Sequence, residues 1–275
     1  MNRRCMRLCS FGVSVLLASV CARAHAEDRG RIGQDELVLP ARHLRLTAGT
    51  ATVYQSESAY QAIGFGLNLE EAVGLGQNLE LGVRFAARPD RTGQGTRADE
   101  FARGFELNSF GTGLSVTANP ELRLAWRALR WPEVPLVELG IEGRVVLPIE
   151  PDPNTTVVLG MVTRLHLHRA LRVDASFWLA VTSEKFYEER LATVAGAAPL
   201  AVWFDPGRVG YLGLIQNLRH DFATRYTTGV TRWQLGAGIG SRFGVFDLLF
   251  AMFLPDTLGD GTHRVAAGLT LTSTW

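Results

Sequence analysis

Cysteine is absent from every position after residue 26. Cys5, Cys9 and Cys21 are the only three, and all sit in the opening stretch. Without thiols in the body of the chain, disulfide scaffolds, thiolate metal sites and cysteine nucleophiles are excluded there. Lysine is nearly missing too: Lys185 stands alone, and acids and bases balance to a formal net charge of +1. A chain so balanced has no global field to gather nucleic acid, so no nucleic-acid partner is expected. After residue 30 there is also no uninterrupted apolar run of the ~18 residues a membrane helix needs. Yet 47% of the residues are hydrophobic. They must be distributed in another pattern.

The opening residues have a processing logic. Arg3, Arg4 and Arg7 precede an apolar stretch from Phe11 to Val20, which ends in Ala24-His25-Ala26. A basic start, a short greasy middle and a small-x-small ending predict a cleaved secretory signal over 1–26. Cys21 follows Val20, a poor neighbour for lipidation. Residues 27–40 are charged, glycine-containing and aperiodic, and are expected to form a flexible periplasmic lead-in. Residues 41–275 read as a single domain.

Within that domain the clearest pattern is the hairpin 137–167. Val137, Leu139, Ile141, Val145, Leu147 and Ile149 share one face, while Glu138, Glu142 and Arg144 share the other. The second arm repeats this, with Val157, Leu159, Met161, Leu165 and Leu167 against Arg164, His166 and His168. Side chains alternate along a strand, so each arm is a ribbon with a greasy side and a charged side. A soluble sandwich also makes such ribbons. Here the pattern recurs along the whole chain behind an export signal, and in hydrocarbon only a closed sheet pairs every backbone amide. The sequence therefore predicts an all-β, antiparallel, up-and-down transmembrane barrel of about 12 strands.

Expected strands run over 42–54, 59–73, 79–87, 122–130, 137–149, 157–167, 171–181, 200–204, 209–218, 231–241, 246–254 and 263–275. Short connections at 74–78, 131–135, 169–170, 205–208 and 242–245 alternate with longer ones, as periplasmic turns alternate with outer loops. The longest outer segments are expected at 88–119 and 183–198, the first with Phe110–Thr117 as a possible fold-back. Tyr54, Tyr60, Trp126, Trp131, Trp203, Tyr211, Trp233 and Trp275 suit interfacial girdles.

The signal ending Ala24-His25-Ala26, the turn and strand from Gly74 to Gly82, and the final Leu269-Thr270-Leu271-Thr272-Ser273-Thr274-Trp275 carry a likeness. On these the chain resembles small Gram-negative outer-membrane β-barrel proteins of the 12-stranded, porin-like kind. The resemblance implies residence in the outer-membrane bilayer and delivery by the outer-membrane insertion machinery. Leu269, Leu271 and Trp275 would then be the insertion signal, with Ser273 departing from the hydrophobic residue usual at its place.

The inward rows are where function would lie. Glu80, Arg84, Arg123, Arg127, Glu138, Glu142, Arg144, Arg164, His166, His168, Arg172, Asp174, Arg232 and Asp247 are expected to line the lumen, together with Glu70. The row reads as Arg-rich. It predicts either a lattice that only neutralises itself or a passive channel for small anionic or polar solutes. Two alternatives stand beside the channel: a plugged barrel serving a structural or surface role through 88–119 and 183–198, and an exported soluble β-barrel binding protein. No enzyme is expected, for no nucleophile motif accompanies Ser176 and His166. His166-x-His168 offers only two ligands, so no metal is expected, nor any cofactor. Gly236-x-Gly238-x-Gly240 lacks the helix of a phosphate loop and is better explained by crowding inside the barrel.

Overall fold

Alternation in the sequence becomes twelve strands in a computed structural model that describes residues 36–57, 60–89, 97–107, 117–131, 136–148, 154–186, 189–207, 210–224, 228–258 and 263–275. The strands are β1 Leu44–Glu57, β2 Tyr60–Gly74, β3 Leu79–Ala87, β4 Thr117–Trp131, β5 Leu136–Val146 and β6 Thr155–His168. They continue as β7 Leu171–Phe186, β8 Glu189–Gly207, β9 Gly210–Asp221, β10 Val230–Phe243, β11 Phe246–Leu254 and β12 His263–Thr274. One 3-10 helix, η1, spans Ala98–Arg103 between β3 and β4. Each strand pairs antiparallel with its neighbours in sequence, and β1 pairs with β12 from Arg45↔Thr274 to Ser56↔His263. The sheet has no edge. Leu44 and Trp275 exchange both backbone hydrogen bonds at 2.9 Å, which puts the two ends of the barrel chain at one rim.

The faces are sorted as a membrane demands. On β5, Leu139 and Ile141 are 36% and 42% exposed, whereas Glu138 and Glu142 on either side of them are 0% and 7%. The same inversion holds around the barrel, with Met161, Ile63, Leu214, Ile239 and Phe250 all outward. Charges lie within and oil-soluble residues lie without, so the surroundings that this surface fits are hydrocarbon. The soluble-barrel alternative requires the opposite sorting.

Several expectations need correction. Segment 183–198 is not a loop: β7 runs to Phe186 and β8 starts at Glu189, paired from Ser183↔Ala192 to Phe186↔Glu189. Thr182, Ser183 and Thr193 ladder as well as apolar residues do, but beyond the hydrocarbon no rule requires every second residue to be greasy. The periodicity stops while the strand continues. β8, expected to be among the shortest strands, has 19 residues. It carries Pro199, which has no N–H to donate, and the β7–β8 ladder accordingly skips from Ala175↔Leu200 to Trp178↔Ala197. Loop asymmetry rests on fewer connections than expected, because only residues 58–59 separate β1 from β2 and only 187–188 separate β7 from β8.

His168 does not line the lumen. The β6–β7 register shifts between His166 and His168, which leaves His168 exposed at the turn, its Nδ1 accepting the Ala170 N–H at 3.2 Å. Trp203 and Tyr211 are not girdle residues: both are buried inside the barrel, while Tyr54, Trp126, Trp131 and Trp233 do face outward. Residues 36–40, the described end of the lead-in, are not a free tail but enter the barrel mouth. The signal segment, 27–35, and the fold-back at 110–116 lie outside the described residues.

Candidate functional site: a lumen closed by its own chain

The inside of the barrel has two unlike halves. On one side a row of small residues crosses six adjacent strands. Gly66 on β2 stands opposite Ala51 on β1, Ala51 opposite Gly268 on β12, and Gly268 opposite Ala251 on β11. Gly238 on β10 and Gly213 on β9 extend the row. Side chains have been cleared from the wall here, and the cleared strip is occupied.

The occupant is the segment 97–107, part of the stretch 88–119 expected to be the longest exposed loop. It folds inward instead. Arg97 and Gly104, both with positive φ, bracket η1, which lies against β1, β2 and β12. A Cβ on Gly66 would overlap the backbone of Ala98 and Asp99, one on Gly49 the carbonyl of Ala102, and one on Gly268 the carbonyl of Phe101. Further round, a Cβ on Gly213 would come within 2.5 Å of the Phe105 ring. Phe101 packs on Phe253 at 5.3 Å between ring centres, and Phe105 on Trp203 at 4.7 Å. Burying two phenylalanines contributes roughly 1.5–3 kcal/mol each.

Charges latch the segment with opposite signs at either end of η1. Asp99 receives the Arg88 guanidinium and stands 3.6 Å from Arg84 on β3. Arg103 reaches Glu106 at 3.0 Å, Glu121 on β4 at 3.4 Å and Glu70 on β2 at 3.8 Å. These carboxylates hold the Arg103 pKa above its usual value despite burial. Glu106 is pushed up by burial and by nearby Glu70, although 41% of its side chain faces the cavity beside it. Asn217 closes the exit by donating to the Leu107 carbonyl at 2.9 Å.

The other half, β2 to β7, is a lattice of ion pairs, and it gathers most of the predicted residues. Arg123 bridges Glu80 and Glu70, and Arg144 reaches Glu142 at 2.5 Å and Glu121 at 3.4 Å. Arg144 also covers the Trp178 ring, 4.5 Å from its centre. Glu138 takes Arg127 at 2.8 Å and His166 at 3.0 Å. Asp174 takes Arg164 at 2.8 Å and Arg172 at 2.9 Å. Glu138 lies directly across from Arg164, while Glu142 lies across from Gly160 and finds its cation on its own strand. Asp247 pairs with Arg242, and Arg232 pairs with Asp221 towards the far rim. Leu269 and Leu271 face outward on β12.

Residues 36–40 form a second closure at the rim that holds the chain ends. Leu37 N–H donates to Glu138 at 3.0 Å, Leu39 N–H donates to Glu80 at 2.8 Å, and Arg164 donates to the Glu36 carbonyl at 2.6 Å. Val38 is 1% exposed. Between the two closures is a cavity of about 820 Å³, bordered by Leu37 and Val38 at one end and Phe105 and Glu106 at the other. Its charged lining nearly cancels, seven arginines standing against six carboxylates. Arg45, Arg103, Arg123, Arg144, Arg164, Arg172 and Arg242 each have a carboxylate within reach, and Glu36, Glu70, Glu106, Glu142, Asp174 and Asp247 each have an arginine. Among the described residues no group of three or more His, Cys, Asp or Glu could hold a metal.

Sequence reasoning missed Asp99, Arg103, Phe101 and Phe105. Two phenylalanines four residues apart in a charged stretch were the available signal, since an exposed loop gains nothing from them. No protein-family model and no curated protein matches the chain. Solved structures do. An outer membrane channel from Pseudomonas putida F1 superposes with a TM-score of 0.59 at 11% identity, covering 90% of this chain and all of that one. The translocator domain of the autotransporter NalP from Neisseria meningitidis gives 0.46 at 12% identity over 85% of this chain and 88% of that one. What the first of these likenesses shows is the fold: the chain has the architecture of an outer-membrane β-barrel.

Proposed function

We propose that the chain is a gated outer-membrane channel for small polar solutes, held closed by its in-folded segment. The observation that carries this is the Gly/Ala row, which leaves a strip of wall fitted to the backbone of 98–102 and to the Phe105 ring. A barrel filled for rigidity alone would be filled by wall side chains. Here one segment closes the middle and a solute-sized cavity lies open beside it. Because every lining arginine has a carboxylate, the path has little net field, and the expected selectivity between small anions and cations is weak. That replaces an anion path lined by surplus arginine.

The signal over 1–26 delivers the chain to the periplasm, and the outward Leu269 and Leu271 with Trp275 present the last strand to the insertion machinery. The rim with 36–40 and the short turns then faces the periplasm of a Gram-negative cell. Planar-bilayer recording tests the channel. The intact protein should dwell closed with brief openings. Replacing 97–107 by a Gly-Ser linker should give steady ohmic steps with a reversal potential near zero in a KCl gradient. If a variant with both 97–107 and 36–40 replaced by Gly-Ser linkers also carries no current, the barrel is plugged and the structural reading takes its place.

A further inference from the structure

One line of buried charges runs from the first closure to the second. Leu39 N–H donates to Glu80 at 2.8 Å, and Glu80 also holds Arg45 and Arg123. Arg123 reaches Glu70 at 3.3 Å, and Glu70 stands 3.8 Å from Arg103, the last residue of η1. Glu80, Arg123, Glu70 and Arg103 are all buried. We infer that 36–40 is a strap that controls the in-folded segment, so that withdrawing it towards the periplasm releases 97–107 through Glu80, Arg123 and Glu70.

The physical link is water. Val38 and Leu39 cap the mouth over carboxylates that make their contacts out of solvent. Withdrawing the strap removes the N–H groups of Leu37 and Leu39 from Glu138 and Glu80 and floods the lattice behind them. Attraction between opposite charges falls roughly fourfold between an interior-like dielectric of ~20 and water. Arg123 and Glu70 then hold Arg103 less firmly, while the Gly/Ala strip and the Asp99 latch are untouched. Coupling of this kind is reciprocal: releasing 97–107 must loosen the strap by the same factor. The inference rests on the gated reading for its consequence, but the motion itself does not depend on current.

The thiol-free mature chain supplies the test. Ala102→Cys puts one thiol at a fully buried position of η1, where a charged methanethiosulfonate reagent reaches it only when the segment leaves the wall. Replacing 36–40 by a Gly-Ser stretch of equal length should raise its labelling rate about tenfold. Leu39→Pro, which removes the N–H together with the leucine side chain, should give part of that rise. In an Arg123→Met background the strap replacement should have less than about a twofold effect, well below the usual coupling range. The reverse experiment labels Val38→Cys, whose rate should rise when Gly66→Ala displaces η1. Heat-modifiable gel migration checks that each variant is a closed barrel. Equal labelling of Ala102→Cys with and without 36–40 overturns the inference, and so does a rise that survives Arg123→Met. Labelling that rises with no current in either protein leaves the strap standing and removes the channel.

Discussion

The two halves of the lumen solve one problem by opposite means. Over β2 to β7 the wall fills its own interior with arginines and carboxylates that reach across to one another. Over β9 to β12, β1 and the Gly66 stretch of β2 the wall gives up side chains and lets another part of the chain fill the space. A self-filled wall is as stable as its pairing, and each lost partner leaves a buried charge behind. A cleared wall can be vacated without breaking any strand pairing, and what opposes departure is the burial of Phe101 and Phe105 and the ion pairs of Asp99 and Arg103. The difference assigns stability to the first half and movement to the second.

The same one-methyl change in each half should break that symmetry most sharply. Gly66→Ala places a methyl in the Asp99 backbone and should expel 97–107, turning a mostly closed barrel into a constitutively open one. Gly82→Ala on the inward face of β3 has only ordinary contacts, the nearest atom being 3.4 Å from a Cβ, and should leave both current and stability alone. If both variants stay closed, the cleared strip has no gating role.

Next in size is the charged half. Arg144→Ala strips Glu142 and Glu121 of a cation and uncovers Trp178. Removing one partner of a buried pair costs on the order of 3–5 kcal/mol, so urea unfolding in detergent should move to markedly lower denaturant, with gating little changed. A loss below about 1 kcal/mol would place this lattice in the class of weak surface pairs. Asp99→Asn should do the reverse at smaller scale. It weakens the latch to Arg88 and Arg84 but not the barrel, so open dwell time should grow about tenfold, equivalent to one or two kcal/mol, while the urea midpoint holds.

The unequal legibility of the halves has the same origin. Leu139, Ile141, Met161 and their kind announce the strands because hydrocarbon tests every second residue, and Glu80, Glu138 or Arg164 announce the lumen by falling between them. The cleared strip is invisible in one dimension. Gly66, Ala51, Gly268, Ala251, Gly238 and Gly213 become a row only after six registers are fixed, and a slip of one residue would turn them outward. Asp99 and Arg103 looked like solvated loop charges because nothing in the local sequence names Arg84 on β3, Glu121 on β4 and Glu70 on β2 as their partners. Beyond the hydrocarbon, as at 183–198, even a regular ladder loses its signature.

The finest test bears on the boundary between the halves, where Glu106 faces the cavity. In the closed barrel its pKa is raised by burial and by Glu70, opposed by Arg103 and Arg144, with Glu142 adding to the rise and Arg123 4.0 Å away. Once 97–107 is released, Glu106 returns to the ordinary carboxylate range. The closed state therefore binds this proton more tightly than the open state. Closure should be favoured progressively as pH falls through the raised value, and the gain should be complete below the ordinary carboxylate pKa. Mild acidification should shorten open dwell times a few-fold, a coupling at the low end of the usual range. Glu106→Gln, which mimics the protonated acid, should remove that part of the pH dependence and show at neutral pH the shortened open dwell that acid gives the parent protein. An identical pH profile in Glu106→Gln would move the titrating group elsewhere in the lattice, and with it the boundary between the half that holds and the half that moves.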